Sequence, residues 1–352
     1  MTDIVETWNG PGRHDADLTR VLPQHNAFHL SASKLAFEHW YFDAQLDTGH
    51  IVVGFLIKRR PEDLPGARPW VEIIIYAPDG TRRQVSKKYP HKAATFDTDR
   101  FRVRIGDNHA HTEFHDNGHC VHHVRLAEDD LELELRFHNE ISSWMPGQGE
   151  TRFGERDVFG WVVGSPRAHV TGTVRIDGTT REVTGRGYAD HNWGVGDMKR
   201  IISRWHWGRL YDEDYSLLFA HVLTQQHVGA HAIAPLMLGR GEEIVLSTGE
   251  TTLTEGPARL HPTAGREFPE WISLHVPGKL DLRLTVGQVI HGHDLLDDFP
   301  IIRSRLVKPI AHRVIGKPAY FRFESEFELR VHNESGIDTR TGTTLHELVA
   351  LK

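Results

Sequence analysis

The segment 185–194 holds the most concentrated set of chemically useful side chains in the sequence. It reads Gly-Arg-Gly-Tyr-Ala-Asp-His-Asn-Trp-Gly, so Asp190, His191 and Asn192 are consecutive. A carboxyl group, an imidazole and an amide can transfer a proton, titrate near neutral pH and fix a neighbour by hydrogen bonds. Three adjacent polar residues would break the alternation of a half-buried strand, and they also suit an inter-domain turn that bonds to the backbone. The residue types alone leave a catalytic site and a structural turn open.

Proton transfer to an apolar substrate calls for a carboxylic acid that burial keeps protonated. Asp190 is the first candidate for this acid. His191 would tune the acid or relay a proton, and Asn192 would orient either group or a water. Asp43 is a second candidate acid, although it equally suits a turn.

Aromatic side chains close to these polar residues would line a pocket, because ring faces attract a cationic intermediate. The same rings would also suit a barrel core. The predicted substrate-binding residues are Tyr188, Trp193, His39, Trp40, Tyr41, Trp205, His206 and Trp207.

Strands rather than helices must position these residues, because the dominant hydrophobic period is two. Residues 131–138 alternate without a break, and residues 321–331 alternate with one exception. Such runs are typical of strands with one apolar and one wet face. Turn signals follow many of the runs, which predicts an all-β fold of antiparallel barrels or sandwiches. The few short helices are predicted at Ser33–Glu38, Asp197–Ser203 and Leu295–Leu306.

A local pattern occurs twice and suggests an internal duplication. His39-Trp40 and His206-Trp207 each lie on a predicted strand that leads through an acidic turn into an apolar strand. A length of 352 residues suits two domains. We predict an N-terminal extension at 1–25 and two β domains at 26–198 and 199–352.

Composition excludes several classes of protein. The net charge of −7 lacks the basic footprint of a nucleic-acid binder. A single cysteine, Cys120, excludes an internal disulfide. Residues 1–13 show no signal-peptide pattern, and no run approaches the ~18 apolar residues of a membrane span. We expect a cytoplasmic protein with no nucleic-acid partner.

Histidine is unusually abundant, with 26 residues, and many of them lie in 109–123. A turn at 116–118 predicts a hairpin that pairs 115 with 120, 113 with 122 and 111 with 124. One face would then gather His109, His111, Glu113, His115, Cys120 and His122. These are metal-ligand types, but the spacing matches no recognised metal motif. We predict a solvated or pH-responsive hairpin and neither a metal nor another cofactor.

The segment Leu295–Ile315 mixes apolar and basic residues. It would suit a loop packed on a barrel, or a lid that makes transient contact with a membrane surface to admit a lipid-like substrate.

The run Gly-Tyr-Ala-Asp-His-Asn-Trp-Gly at 187–194 resembles the Gly-Tyr-x-Asp-His-Asn-Trp-Gly signature of the carotenoid 1,2-hydratase (hydroxyneurosporene synthase) and AttH-like superfamily. Residues 39–43, followed by 51–55, are similar to the opening strands of that superfamily. The resemblance implies two lipocalin-like (calycin) β-barrel domains. It also implies a hydrophobic small-molecule substrate, often a polyene or terpenoid, which the hydratases protonate at an alkene before water quenches the cation.

Residues and resemblance together predict an enzyme that carries out acid-catalysed alkene hydration or cyclisation in an aromatic-lined pocket. Related members of the superfamily are cyclases, including intramolecular Diels–Alder catalysts that require no acid. A natural-product cyclase of that kind and a non-catalytic carrier of a hydrophobic ligand are the alternatives. The oligomeric state is not predicted.

Overall fold

The computed structural model describes residues 3–6, 8–114, 119–298 and 308–351, and these form an almost entirely antiparallel β structure. The predicted all-β, lipocalin-like class is confirmed. Two large curled sheets, with 13 and 10 strands, contain most of the chain. A separate two-stranded ribbon completes the sheet structure of the described residues.

The first sheet is formed by residues 4–195. Its strands are β1 (Ile4–Glu6), β2 (Ala36–Leu46), β3 (Ile51–Arg59), β4 (Trp70–Tyr76), β5 (Arg82–Lys88), β6 (Ala94–Phe96), β7 (Arg102–Ile105), β8 (Asn108–Phe114), β9 (Cys120–Glu128), β10 (Leu131–Asn139), β11 (Glu150–Phe153), β12 (Asp157–Ile176) and β13 (Thr179–Val195).

The main path of this sheet runs β5-β4-β3-β2-β13-β12-β10-β9-β8-β7-β6. The sheet curls, so that β3 contacts β7 and both β4 and β5 contact β9. Its inner face holds an apolar core that includes Trp40, Phe42, Leu133 and Phe137. Burial of these side chains is the main force that holds the curled sheet closed.

The second sheet and the ribbon are formed by residues 202–350. Their strands are β14 (Ile202–Tyr211), β15 (Tyr215–Thr224), β16 (Ala232–Ile233), β17 (Leu236–Arg240), β18 (Glu243–Thr248), β19 (Thr252–Glu255), β20 (Ala258–His261), β21 (Arg266–Pro269), β22 (Trp271–Val276), β23 (Leu280–Asp294), β24 (Ala319–Asn333) and β25 (Gly336–Ala350).

The second sheet repeats the strand order of the first. Its path is β18-β17-β15-β14-β25-β24-β23-β22-β19, and the strand pair β2–β3 of the first sheet takes the same place as β14–β15. This order favours an internal duplication. The two His-Trp pairs are offset by one residue, however, because Trp40 faces the first core whereas His206, not Trp207, faces inward in the second half. We keep 26–198 and 199–352 as the proposed domains.

Helices are few and short, as predicted, but one prediction is wrong. Ser33–Glu38 forms a turn that leads into β2, because the alternating residues 36–46 complete a strand between β13 and β3. A single helical turn, α1 (Met198–Ile201), lies within the predicted 197–203. The remaining helices are α2 (Lys308–Ile315) and 3₁₀ turns at Pro23–Asn26, His91–Ala93, Gln226–Val228 and Leu295–Asp298.

The predicted lid or membrane-surface segment lies partly outside the described residues, since 299–307 are not among them. None of the helices in the described ranges is long and apolar enough to cross a membrane.

The His-rich hairpin has a register one residue away from the predicted one. Glu113 pairs with Val121, and His111 pairs with His123. A shift of one residue exchanges the two faces of a strand. His122 and Cys120 therefore face the core, while His123 joins the outer face. His115 and the turn at 116–118 lie outside the described residues.

Candidate active site

The segment 185–194 is the second half of strand β13 and not a turn. It pairs with β12 on one side and with β2 on the other. Alternation along the strand places Tyr188, Asp190 and Asn192 on one face and His191 and Trp193 on the other. The alternation of polarity fails here because both faces are covered: one by the first core and the other by the second sheet.

The face that carries Asp190 meets the second sheet in a mixed apolar and polar interface. Tyr188 contacts Trp207 edge-to-face, with ring centroids 5.3 Å apart. One apolar cluster spans both halves, with Trp161 and Tyr188 from the first and Leu218 and Met237 from the second. Side chains from both halves therefore pack around the face of β13 that carries Asp190.

Three neutral donors hold the Asp190 carboxyl group. Tyr188 Oη donates to Oδ2 at 2.8 Å, and Trp161 Nε1 donates to the same oxygen at 3.0 Å. Asn192 Nδ2 donates to Oδ1 at 3.1 Å. The predicted role of Asn192 in orienting the acid agrees with this contact. Trp161 was not predicted.

Burial raises the pKa of Asp190 to about 7, and the nearby Asp43 carboxylate adds to this effect. The hydrogen bonds from Tyr188 and Trp161 oppose it. The carboxyl group lies deep in the molecule, yet part of the side chain is accessible. Asp190 is therefore a deeply placed but partly accessible acid at the interface between the two sheets.

A buried ion pair joins the two halves at this interface. Arg209 on β14 donates to both oxygens of Asp43 on β2, at 2.8 and 2.5 Å. Tyr41 Oη donates to Asp43 Oδ2 at 2.7 Å. The Arg209 guanidinium also lies over the Tyr188 ring, 4.9 Å from its centroid. Asp43 is thus a strand residue that binds an arginine, which corrects its prediction as a second acid.

His191 does not contact Asp190, which corrects its predicted role as a direct support. On the opposite face of β13, His191 Nε2 lies 2.9 Å from Oε1 of the buried Glu38. Burial lowers the pKa of His191 to about 4. Burial opposes ionisation of Glu38, but hydrogen bonds from His191 and His29 outweigh it and hold the pKa of Glu38 below its usual range.

We therefore expect His191 to affect stability more than chemistry. His191→Ala removes a hydrogen-bond partner of Glu38 and leaves a void beside Trp40, which stacks on the imidazole at 4.4 Å. The free energy of unfolding should fall by about 2–4 kcal/mol. Urea denaturation measures this change.

His332→Ala is the matched control, because His332 pairs with Asp281 at 3.0 Å while one third exposed. Its effect should stay below about 1 kcal/mol. A His191→Ala variant as stable as the control would contradict the structural role.

Four predicted substrate-binding residues lie away from the face that carries Asp190. Trp40 and His206 face the interiors of the two sheets, and Trp193 stacks on His29 at 3.9 Å on the far face of β13. Trp205 packs in a separate cluster beside α1. Strand alternation explains the positions of Trp40, His206 and Trp193. Each side chain points to the face of its strand opposite to the one that lies at the interface with Asp190.

The remaining predicted residues share the interface with Asp190. Tyr41 is the cross-strand partner of Asp190, and His39 is that of Asn192. Burial lowers the pKa of His39 to about 3. Trp207 faces Tyr188 from the other half.

Several polar residues of this interface were missed: Trp161, Arg209, Tyr320, Arg322 and Glu347. A signal for some of them exists in the sequence. Trp207, Arg209 and Tyr211, like Tyr320 and Arg322, recur at a spacing of two, which places each set on one face of its strand.

Two groups of described residues have metal-ligand types within 4.8 Å of one another: His29, Glu38 and His191, and His111, Glu113 and His123. In the first group both imidazoles are already engaged by Glu38. The second lies on the outer face of the His-rich hairpin, where His123 Nε2 is 3.2 Å from Glu113 Oε2.

Comparison with known proteins places this geometry in context. A family model described as AttH-like matches residues 76–298. A hydroxyneurosporene dehydrogenase from Chlorobaculum tepidum is 37% identical over 84 residues. That match spans only 22% of this chain and 22% of that relative.

Solved structures share the fold over nearly the whole chain. A putative AttH from Nitrosomonas europaea has a TM-score of 0.60 at 15% identity, covering 96% of this chain and 98% of that one. Kievitone hydratase from Nectria haematococca has a TM-score of 0.59 at 15% identity, with 98% and 97% covered. CghA in complex with Sch210972 has a TM-score of 0.56 at 14% identity, with 100% and 99% covered.

Proposed function

The chain belongs to the AttH-like family, and we propose that it is an enzyme that protonates an alkene of a hydrophobic, polyene or terpenoid-like substrate. The cation that forms would then take up water or close a ring. The observation that carries this proposal is the Asp190 carboxyl group, buried beside aromatic rings and held by three neutral donors.

This arrangement favours the protonated acid before proton transfer and stabilises the carboxylate after it. Burial raises the pKa of Asp190 to about 7, so a substantial fraction of the carboxyl group stays protonated near neutral pH. The donors from Tyr188, Trp161 and Asn192 are fixed before the reaction and stabilise the carboxylate that proton transfer creates. Two of them occupy Oδ2, whereas Oδ1 accepts one hydrogen bond, so the acidic proton belongs on Oδ1.

Asp190 can both donate the proton that starts the reaction and accept the proton released at its end. The proton leaves Asp190 Oδ1 and forms a C–H bond with one alkene carbon, which leaves a cation at the other. In hydration, water forms the C–O bond and its proton returns to Asp190. In cyclisation, a second alkene forms the C–C bond and a neighbouring C–H proton returns to Asp190. The rings of Tyr41 and Trp207 would stabilise the intermediate cation through their faces.

The comparisons support the substrate class. One relative is named for a hydroxylated polyene, and one solved structure of the same fold is named as a hydratase. These names describe those proteins, and this chain shares the fold of the solved structures.

Activity should depend on protonated Asp190, which sets the sign of its pH dependence. Because the acid form is required and its pKa is about 7, kcat should be constant at low pH. It should fall about tenfold per pH unit above neutrality. A profile of kcat between about pH 5 and about pH 9 measures this. A kcat that instead rises through pH 7 would assign Asp190 as a base.

Product analysis tests the proposal. The purified protein is incubated with neurosporene, squalene or a linear polyene carboxylate in ¹⁸O-labelled water, and products are identified by mass spectrometry. Hydration gives a product with one labelled oxygen, and cyclisation gives an isomer of the substrate. Recovery of every compound unchanged, with one of them bound, would refute the enzyme and favour a carrier.

A further inference from the structure

We propose that Arg322 forms a second subsite at the interface between the two sheets, which binds a carboxylate or enolate group of the substrate. This inference rests on the proposed function in one respect, since it takes the interface between the sheets as the substrate site. It adds a class of substrate: an amphipathic molecule with an acidic oxygen group at one end and a reactive alkene at the other.

Arg322 lies on β24 and faces the first half of the molecule. It is the cross-strand partner of Glu347, and Glu347 in turn is the partner of Trp207. The guanidinium of Arg322 lies 5.8 Å from the ring centroid of Tyr76 on β4. Only 5% of the residue is exposed. Arg322 therefore places a positive charge inside the interface between the two sheets.

The donors of this buried guanidinium are not used. Arg322 Nε lies 3.3 Å from Glu347 Oε1, but the contact lacks hydrogen-bond geometry, and Nε has no hydrogen-bond partner. No hydrogen bond joins the guanidinium to another side chain or backbone group in the described parts of the chain. Glu347 Oε1 instead accepts from Tyr320 Oη at 2.7 Å. Glu347 thus compensates the charge of the guanidinium, but the buried Nε–H group has no acceptor, which is costly unless a ligand or water supplies one.

Arg209 of the same interface shows what a structural arginine does here. It donates to both oxygens of Asp43, so its fork is matched by a carboxylate of the chain itself. Arg322 has the same planar fork, but the Glu347 carboxylate beside it makes no hydrogen bond with the Nε–H group. A planar fork of N–H groups is best matched by a carboxylate or by the delocalised oxygens of an enolate.

The position of Arg322 connects it to the candidate acid through Trp207. Arg322 and Trp207 are both cross-strand partners of Glu347, so they share one face of the second sheet. Trp207 contacts Tyr188, which donates to Asp190. A substrate anchored at Arg322 would extend over Trp207 and bring its alkene toward Asp190.

Equilibrium binding of two matched probes tests the subsite. All-trans-retinoic acid and all-trans-retinol share one polyene and differ in the terminal group, and quenching of tryptophan fluorescence reports the binding of each. The wild-type protein should bind the acid at least about tenfold more tightly than the alcohol. Arg322→Gln should lower the affinity for retinoic acid by about 10- to 100-fold and change the affinity for retinol by less than about threefold.

Two further variants keep the test decisive. Arg322→Lys retains the charge without the planar fork and should keep part of the preference for retinoic acid. It also provides the test if Arg322→Gln does not fold. Arg283→Gln is the control, because Arg283 lies 4.0 Å from the Trp271 ring centroid but on the exposed face of the second sheet. It should leave both affinities unchanged.

Three results would overturn the inference. The wild-type protein could show no preference for retinoic acid, the Arg322→Gln variant could keep the preference, or that variant could lose affinity for both probes equally. The outcome is separable from the proposed function. An Arg322-dependent preference in a protein that converts no polyene would refute catalysis alone, whereas conversion without such a preference would refute this subsite alone.

Discussion

Replacing Asp190 with Asn is expected to lower kcat by about 10²- to 10⁴-fold, the range for loss of a general acid. The amide has nearly the shape of the carboxylic acid and can still accept from Tyr188 and Trp161, which bind Oδ2 in the native protein. It cannot deliver a proton to an alkene. Steady-state turnover of an identified substrate measures the change, and circular dichroism confirms the fold.

A graded series around Asp190 gives the control. Tyr188→Phe removes one donor to the acid and should cost about tenfold in kcat, whereas Asp281→Asn on the exposed surface should cost nothing. Asp190→Asn with wild-type turnover would eliminate acid catalysis by this residue and favour a pericyclic reaction that the pocket only shapes.

The largest loss of stability is expected for Arg209→Met. Asp43 has no exposed side-chain surface, and the two hydrogen bonds from Arg209 are its link to the second half. Removal of one partner of a buried pair leaves an uncompensated charge, so the free energy of unfolding should fall by about 3–5 kcal/mol. Equilibrium urea denaturation measures it.

Two comparisons separate this effect from simple loss of a side chain. Arg83→Met removes a pair with Asp130 and Asp177 on the surface and should cost less than about 1 kcal/mol. The double variant Asp43→Leu/Arg209→Met removes both charges and should recover most of the loss. A double variant no more stable than Arg209→Met would show that the burial of Asp43 is not the source of the effect.

Strand alternation predicted the fold class, because the curled sheets bury one face of most strands. Residues 131–138 and 321–331 are strands with the predicted inward faces. Local alternation failed at 185–194, because the face with Asp190 packs against the second sheet and the face with His191 lies in the first half. Alternation of polar and apolar residues distinguishes an exposed face of a strand from a buried one. It cannot distinguish two faces that are both buried.

The sequence indicated Asp190, Asn192 and Tyr188 by proximity, but it could not pair residues across the halves. Arg209 and Asp43 are 166 positions apart, and Arg322 contacts Tyr76 across the interface. Such pairs depend on how two sheets pack, which no local pattern contains. The register of the His-rich hairpin failed for a related reason, because it was inferred from a turn instead of from the buried faces of Cys120 and His122.

Incorporation of solvent deuterium into the product tests the central claim most directly. The protein is equilibrated in D₂O, so that the exchangeable proton of Asp190 becomes a deuteron, and it is then given an unlabelled polyene substrate. The account predicts a product with one new C–D bond, formed by the wild-type protein and not by Asp190→Asn. A product formed by the wild-type protein with no carbon-bound deuterium would contradict proton transfer from Asp190.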